Sequence, residues 1–206
     1  MDTTTDSNTF NRSCHYKMTL LKYLNILTFL VLTITSTASC QNNRNNETEN
    51  STAQNLRSFR QIFWDSIPQP VGYINDYEDL FSDVEEKSLD CLIEDFEKRT
   101  TIQITVVTID TTMTTPDSLD ALTLRIANAW GIGQKEKNNG VVIGISKGYR
   151  KMRIQNGYGI EKMLTDAETK KIIDTAFIPY YREAEYFKGT FKGLQAVMAT
   201  LKKRDK

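Results

Sequence analysis

The chain holds a single histidine, three cysteines and four prolines in 206 residues, and its formal net charge is zero. The histidine, His15, lies ahead of the first apolar run, so residues 16–206 contain no imidazole. A Ser-His-Asp triad, a Cys-His pair and a His-ligated zinc site are therefore excluded from any domain that follows. Chemistry there must rest on carboxylates, amides, hydroxyls, Lys, Arg or a metal held by oxygen atoms. Zero net charge removes any global attraction to nucleic acid, and no nucleic-acid partner is expected. Cysteine is too scarce for a disulfide framework. Cys14 and Cys40 belong to the leading segment, and Cys91 is left alone among Leu89, Leu92, Ile93 and Phe96. It reads as a buried structural thiol.

Apolar runs of membrane-spanning length are also missing. The run at residues 23–34, YLNILTFLVLTI, is too short to cross a bilayer comfortably and suits a signal-peptide core. Lys17 and Lys22 precede it, and Ser36, Thr37, Ala38 and Ser39 lead into Cys40. This pattern resembles a lipobox, with Thr37 where an aliphatic residue is usual. Lipid attachment at Cys40 is the expected outcome, which would hold the chain at a membrane. Cleavage near Ala38 without lipid, or an uncleaved anchor, are the alternatives. Met18 begins a complete signal by itself, so translation is expected to start there.

Residues 1–40 thus form a leader, and residues 41–70 a tether with a lead-in segment. The stretch 41–56 is nearly all polar and Asn-rich, and is not expected to fold. Phe59, Ile62, Phe63, Trp64 and Ile67 then offer apolar groups for docking on the domain or on a partner. The domain itself is placed at residues 71–203. Its charge is uneven: residues 71–120 hold 13 Asp/Glu against 3 Lys/Arg, and residues 121–206 hold 8 against 17. One acidic and one basic face, or two ordinary solvated faces, follow from this.

Within the domain, Ser82 and Glu85 have the spacing of a capping box before a helix carrying Leu89, Leu92, Ile93 and Phe96. Residues 102–109 are β-branched and read as a strand. Thr115-Pro116 predicts a helix start, with a stripe of Leu119, Leu122, Ile126 and Trp130. The continuously apolar Val141–Ile145 predicts a central strand covered on both faces. Residues 150–155 alternate as an antiparallel strand, and Gly157-Tyr158-Gly159 reads as a tight loop. Thr165 and Glu168 form a second capping box, and Pro179 separates that helix from a last one ending near Leu201. Helices alternating with strands predict an α/β fold around a small mixed sheet.

Four pieces in order resemble one family: VGYINDYEDLFS (71–82), ITVVTI (104–109), WGIGQKEKNNGVVIGIS (130–146) and RIQNGYGIEKMLTD (153–166). Together with the region from Pro179 to Gly193, they resemble the TPM domain of bacterial envelope and thylakoid-lumen proteins. The resemblance implies a three-layer α/β/α sandwich with a small mixed sheet, here standing alone as a lipoprotein. It implies a place outside the cytoplasm, on the periplasmic side of a membrane.

In this family the loops bearing Asp76, Asn139, Glu161 and Asp166 are expected at one edge of the sheet. Converging oxygen ligands select a hard cation, calcium ahead of magnesium. Each residue also has a plainer reading. Asp166 suits a helix N-terminus, Asn139-Gly140 a turn, and Asp76 a capped turn; Glu161 is hardest to explain structurally. Gly157 and Gly159 are expected to serve backbone geometry, and Lys151 and Arg153 to form a solvated face or touch phosphate. The Gly131–Lys135 stretch lacks the spacing of a P-loop. Two functions follow: a calcium-binding accessory or interaction module with an envelope protein partner, or a metal-dependent acid phosphatase acting on phosphomonoesters. In the second, Asp76 or Asp166 would serve as nucleophile or base.

Overall fold

The continuously apolar segment Gly140–Ser146 decides the architecture, because every one of its residues is buried and both its faces must be covered. A computed structural model describes residues 44–134 and 136–204. The chain divides into two units, residues 1–48 and 49–206. Of the first, only the opening of a helix from Arg44 is described. The leader, with Met18 and Cys40, lies outside the described residues.

Helix α1 (Arg44–Asp65) leads to strand β1 (Ile74–Asp76), helix α2 (Asp83–Thr100) and strand β2 (Gln103–Thr108). Helix α3 (Leu119–Trp130) precedes the hairpin of β3 (Gly140–Ser146) and β4 (Lys151–Asn156). Short α4 (Tyr158–Glu161) and α5 (Asp166–Ile172) follow, then a π-helical segment (Ile173–Phe177), α6 (Ile178–Arg182) and α7 (Tyr186–Arg204). The sheet order is β1-β2-β3-β4. The first three strands are parallel and β4 is antiparallel to β3.

Alternation along the strands sends side chains to two separate layers. On one face Ile104, Val106, Ile143 and Ile145 pack with α2 (Leu89, Ile93, Phe96), Phe177 and α7 (Leu194, Val197, Leu201). On the other, Val107, Ile109 and Val142 pack with α3 (Leu119, Leu122, Ile126) and Phe63 of α1. The result is the expected α/β/α sandwich. Among the described residues no helix is long and apolar enough to cross a membrane.

Both capping boxes form. The Glu85 carboxylate accepts from the N–H and hydroxyl of Ser82, and Glu168 does the same for Thr165. Four expectations need correction. Cys91 is exposed, not buried, because the buried stripe of α2 is Leu89, Ile93 and Phe96 and a residue two places from Leu89 points some 200° away from it. The polar stretch expected to stay unfolded is helical from Arg44. Its helix is anchored further on, where Phe63 is buried and Arg60 donates to the Thr111 carbonyl at 2.8 Å. Helix α3 starts at Leu119 instead of at Pro116, after a turn closed by Ser118 N–H on the Thr115 carbonyl. Gly157-Tyr158-Gly159 opens a short helix, with Gly157 as its N-cap.

Pro179 does not end its helix outright. It lacks an N–H and crowds the carbonyl four residues back, and the chain answers with the π turn, in which Ile178 N–H bonds to the Ile173 carbonyl. This swings the fully buried Phe177 against α7, where Gly193 makes room: a Cβ there would lie 2.0 Å from the Phe177 ring. Gly193→Ala should therefore overpack this layer and lower stability by roughly 1–3 kcal/mol, read as a drop in melting temperature. An unchanged melting temperature would contradict this packing.

Candidate functional site

Three parallel strands place all their carboxyl ends on one edge, and that is where open α/β sheets bind ligands. The residues that end or follow these strands are Asp76 and Glu78 after β1, Thr108 and Asp110 after β2, and Ser146 and Lys147 after β3.

Asp76 is a hub at this edge. One carboxylate oxygen accepts from the N–H groups of Leu80 and Phe81 at 2.6 and 2.7 Å, and the other accepts from the Thr108 hydroxyl at 2.6 Å. It ties β1 to β2 and shapes the turn into α2. Glu78 reaches across to the β3–β4 turn, where Lys147 and Gly148 N–H groups donate to it at 2.8 and 3.2 Å. Its own N–H donates to the Thr108 hydroxyl. Asp110 accepts from the N–H and hydroxyl of Thr112 through one oxygen.

Burial pushes the Glu78 carboxyl above its ordinary value, the Lys147 and Gly148 donors pull it back, and the charges of Asp110 and Asp76 push it up again. Glu78 thus feels the charge of both neighbouring carboxylates. Among the described residues, no group of three or more acidic, histidine or cysteine side chains is placed so that it could hold a metal ion as it stands. The donor set, all hard oxygen, suits calcium more than a transition metal.

Of the four residues singled out in the sequence, Asp76 stands apart from the other three. Asp76 stands opposite Thr108 at the carboxyl edge, whereas Gly140, next to Asn139, stands opposite Gln103 at the amino edge. Five residue steps of β2 separate these edges by about 17 Å, too far for shared ligation. Glu161 and Asp166 follow β4, whose last residue, Asn156, pairs with Val141 at the amino edge. Both are exposed.

At that edge Asn139 is a structural pin. It accepts from Gln134 N–H at 2.8 Å and donates to the Thr101 carbonyl at 2.7 Å. Gly159 has the backbone role expected of it, since a Cβ there would lie 2.0 Å from the Lys137 carbonyl oxygen. Lys151 and Arg153 face α3: Lys151 donates to the Pro116 carbonyl, and Arg153 lies 3.7 Å from Asp120.

Sequence reasoning passed over Glu78 and Asp110. Both carry a readable signal, as acids directly after runs that end as parallel strands.

A family model described as the TPM domain matches residues 74–200. Among solved structures, the chain is similar to the N-terminal domain of a protein from P. gingivalis. Identity is 28%, the match covers 64% of this chain and 82% of that one, and the TM-score is 0.58. It is also similar in fold to the BA42 protein of the psychrophilic bacterium Bizionia argentinensis. There identity is 20%, coverage is 62% and 85%, and the TM-score is 0.54. Among curated proteins, none matches the chain.

Asp76→Ala removes an ionised acceptor from two backbone donors and a hydroxyl, and should cost roughly 3 kcal/mol. Chemical denaturation checks this; a loss below about 1 kcal/mol would show that Asp76 does not hold the edge together.

Proposed function

Because the chain belongs to the TPM-domain family, we propose that it is an exported, lipid-anchored accessory module of the cell envelope that holds calcium at the carboxyl edge of its sheet. The observation behind the calcium reading is that Asp76, Glu78 and Asp110, all oxygen donors, end or follow two adjacent parallel strands, with Glu78 pushed up first by burial and then by the charges of the other two. The three are not yet placed around an ion, so binding would have to draw them together. A cation between them would relieve that repulsion, and calcium accepts the irregular geometry of three loops more readily than magnesium does. The ligand set proposed here replaces the one centred on Asn139, Glu161 and Asp166.

The export reading is supported by the apolar run before Cys40 and the small residues that lead into it. Lipid on Cys40 would tether the domain to the periplasmic side of a membrane. A protein partner finds support in α1, where Phe59 and Ile62 are 46% and 65% exposed on a helix whose other side is fixed by Phe63.

The pH dependence has a definite sign. Glu78 has a folded-state value raised above its ordinary 4.5. Its contribution to stability is therefore complete below 4.5 and is lost as pH rises through the folded value. Calcium should restore that loss, so its stabilising effect should grow from acid to neutral pH. A site with a dissociation constant of about 1 mM adds about 1.4 kcal/mol at about 10 mM calcium.

Thermal unfolding at neutral pH tests this. The parent chain should melt higher with calcium, and Glu78→Gln should match or exceed the parent without calcium and gain nothing from it. A parent chain indifferent to calcium would overturn the reading. Turnover of a generic phosphomonoester, lost in Asp76→Asn and Asp110→Asn, would replace the module with the phosphatase.

A further inference from the structure

Next to the acid group, on the α2/α7 side of the same edge, lies a cavity of about 560 Å³. That size suits a small organic molecule. Ile145, Met152 and Ile178 supply apolar lining, and Tyr181 and Tyr186 line it with rings 5.1 Å apart. Arg150 and Arg182 also line it, and none of its described lining residues is acidic. Among the described residues neither guanidinium has an ion-pair or hydrogen-bond partner. A third cation lies over one of the lining rings, with Lys147 Nζ 5.8 Å from the centre of Tyr186. The lining Lys151 is engaged elsewhere, its ammonium donating to the Pro116 carbonyl.

Three further features favour a ligand here. The wall is built with unusual backbone: the π turn Ile173–Phe177 runs directly into Ile178 and Tyr181, and such turns recur at functional sites. The Tyr181 hydroxyl is fixed 2.8 Å from that of Thr190, so the ring cannot swing in to fill the space. In addition, Arg150 has φ +52° in the β3–β4 turn. Gly or Asn takes that conformation at lower cost. A long cation placed against local preference points to use of its side chain.

We propose that this cavity binds a small amphipathic anion, an apolar body bearing one carboxylate or phosphate group. The body would rest on Ile145, Met152 and Ile178 against the paired tyrosine rings, and the anionic head between Arg150 and Arg182. Guanidinium groups hold both head groups by paired N–H donors. The idea goes beyond the calcium module and survives if calcium does not bind.

Calorimetric titration of the full-length protein tests it, with 3-phenylpropionate, phenylphosphonate, inorganic phosphate and neutral 3-phenyl-1-propanol as probes. At least one aryl anion should bind saturably and about tenfold more tightly than either phosphate or the alcohol. Which of the two binds better identifies the preferred head group. Arg150→Asn combined with Arg182→Gln should weaken that binding about tenfold at an unchanged melting temperature. Should the pair melt lower, Arg182→Gln alone, at an exposed position, must still weaken it. The Met152 methyl resonance should shift with the bound anion. Absence of saturable binding by both aryl anions would overturn the proposal. So would phosphate or the alcohol binding as well as they do, or binding indifferent to the arginine changes.

Discussion

Everything at the proposed site depends on one constraint: β3 is buried along its whole length and is paired in parallel with β2. A parallel neighbour requires a crossover, here through α3, and a strand buried on both faces requires a layer of helix on each side. Those two requirements produce the sandwich and bring the carboxyl ends of β1, β2 and β3 to a common edge. Asp76, Thr108, Asp110 and Ser146 are there because the sheet is parallel, not because local sequence brings them together. Only the antiparallel β4 runs back, which leaves the Gly157 loop and Glu161 at the opposite edge.

The carboxyl edge is electrically divided. Carboxylates of Asp76, Glu78 and Asp110 gather at one part of it, while Arg150, Arg182 and Lys147 stand around the neighbouring cavity. Lys147 joins the two parts, its backbone N–H on Glu78 and its ammonium over Tyr186. This local division is a finer form of the imbalance along the chain, acidic in residues 71–120 and basic from 121 onward. Cation and anion would be held a single turn apart, each lowering the electrostatic cost of the other.

Much of the fold was legible because its signals are local. The Ser82 and Thr165 capping boxes, the β-branched run of β2 and the apolar run of β3 each follow from spacing that side-chain chemistry imposes within one element. The family motifs, which run from Val71 to the last helix, carried the rest of the fold. What failed were inferences about direction and distance. Cys91 lies among apolar residues in sequence yet turns away from them on α2. Asn139 and Asp76 flank strands that run the same way, so one precedes its strand and the other ends its own, and the sheet holds them apart. Glu78 and Asp110 escaped notice because their placement at one edge is a property of strand order, which spacing along a single chain does not encode. Arg150 and Arg182 are a similar case, brought to one cavity by a hairpin turn and by the helical irregularity that Pro179 imposes.

The central claim is that ligand chemistry resides at the carboxyl edge. Amide chemical-shift mapping during a calcium titration tests it most directly. The account predicts shifts confined to the turns after β1, β2 and β3, at Asp76 to Phe81, Ile109 to Thr112 and Lys147 to Tyr149, with Asn139, Glu161 and Asp166 undisturbed. Shifts centred on Asn139, Glu161 and Asp166, with the carboxyl edge silent, would contradict it.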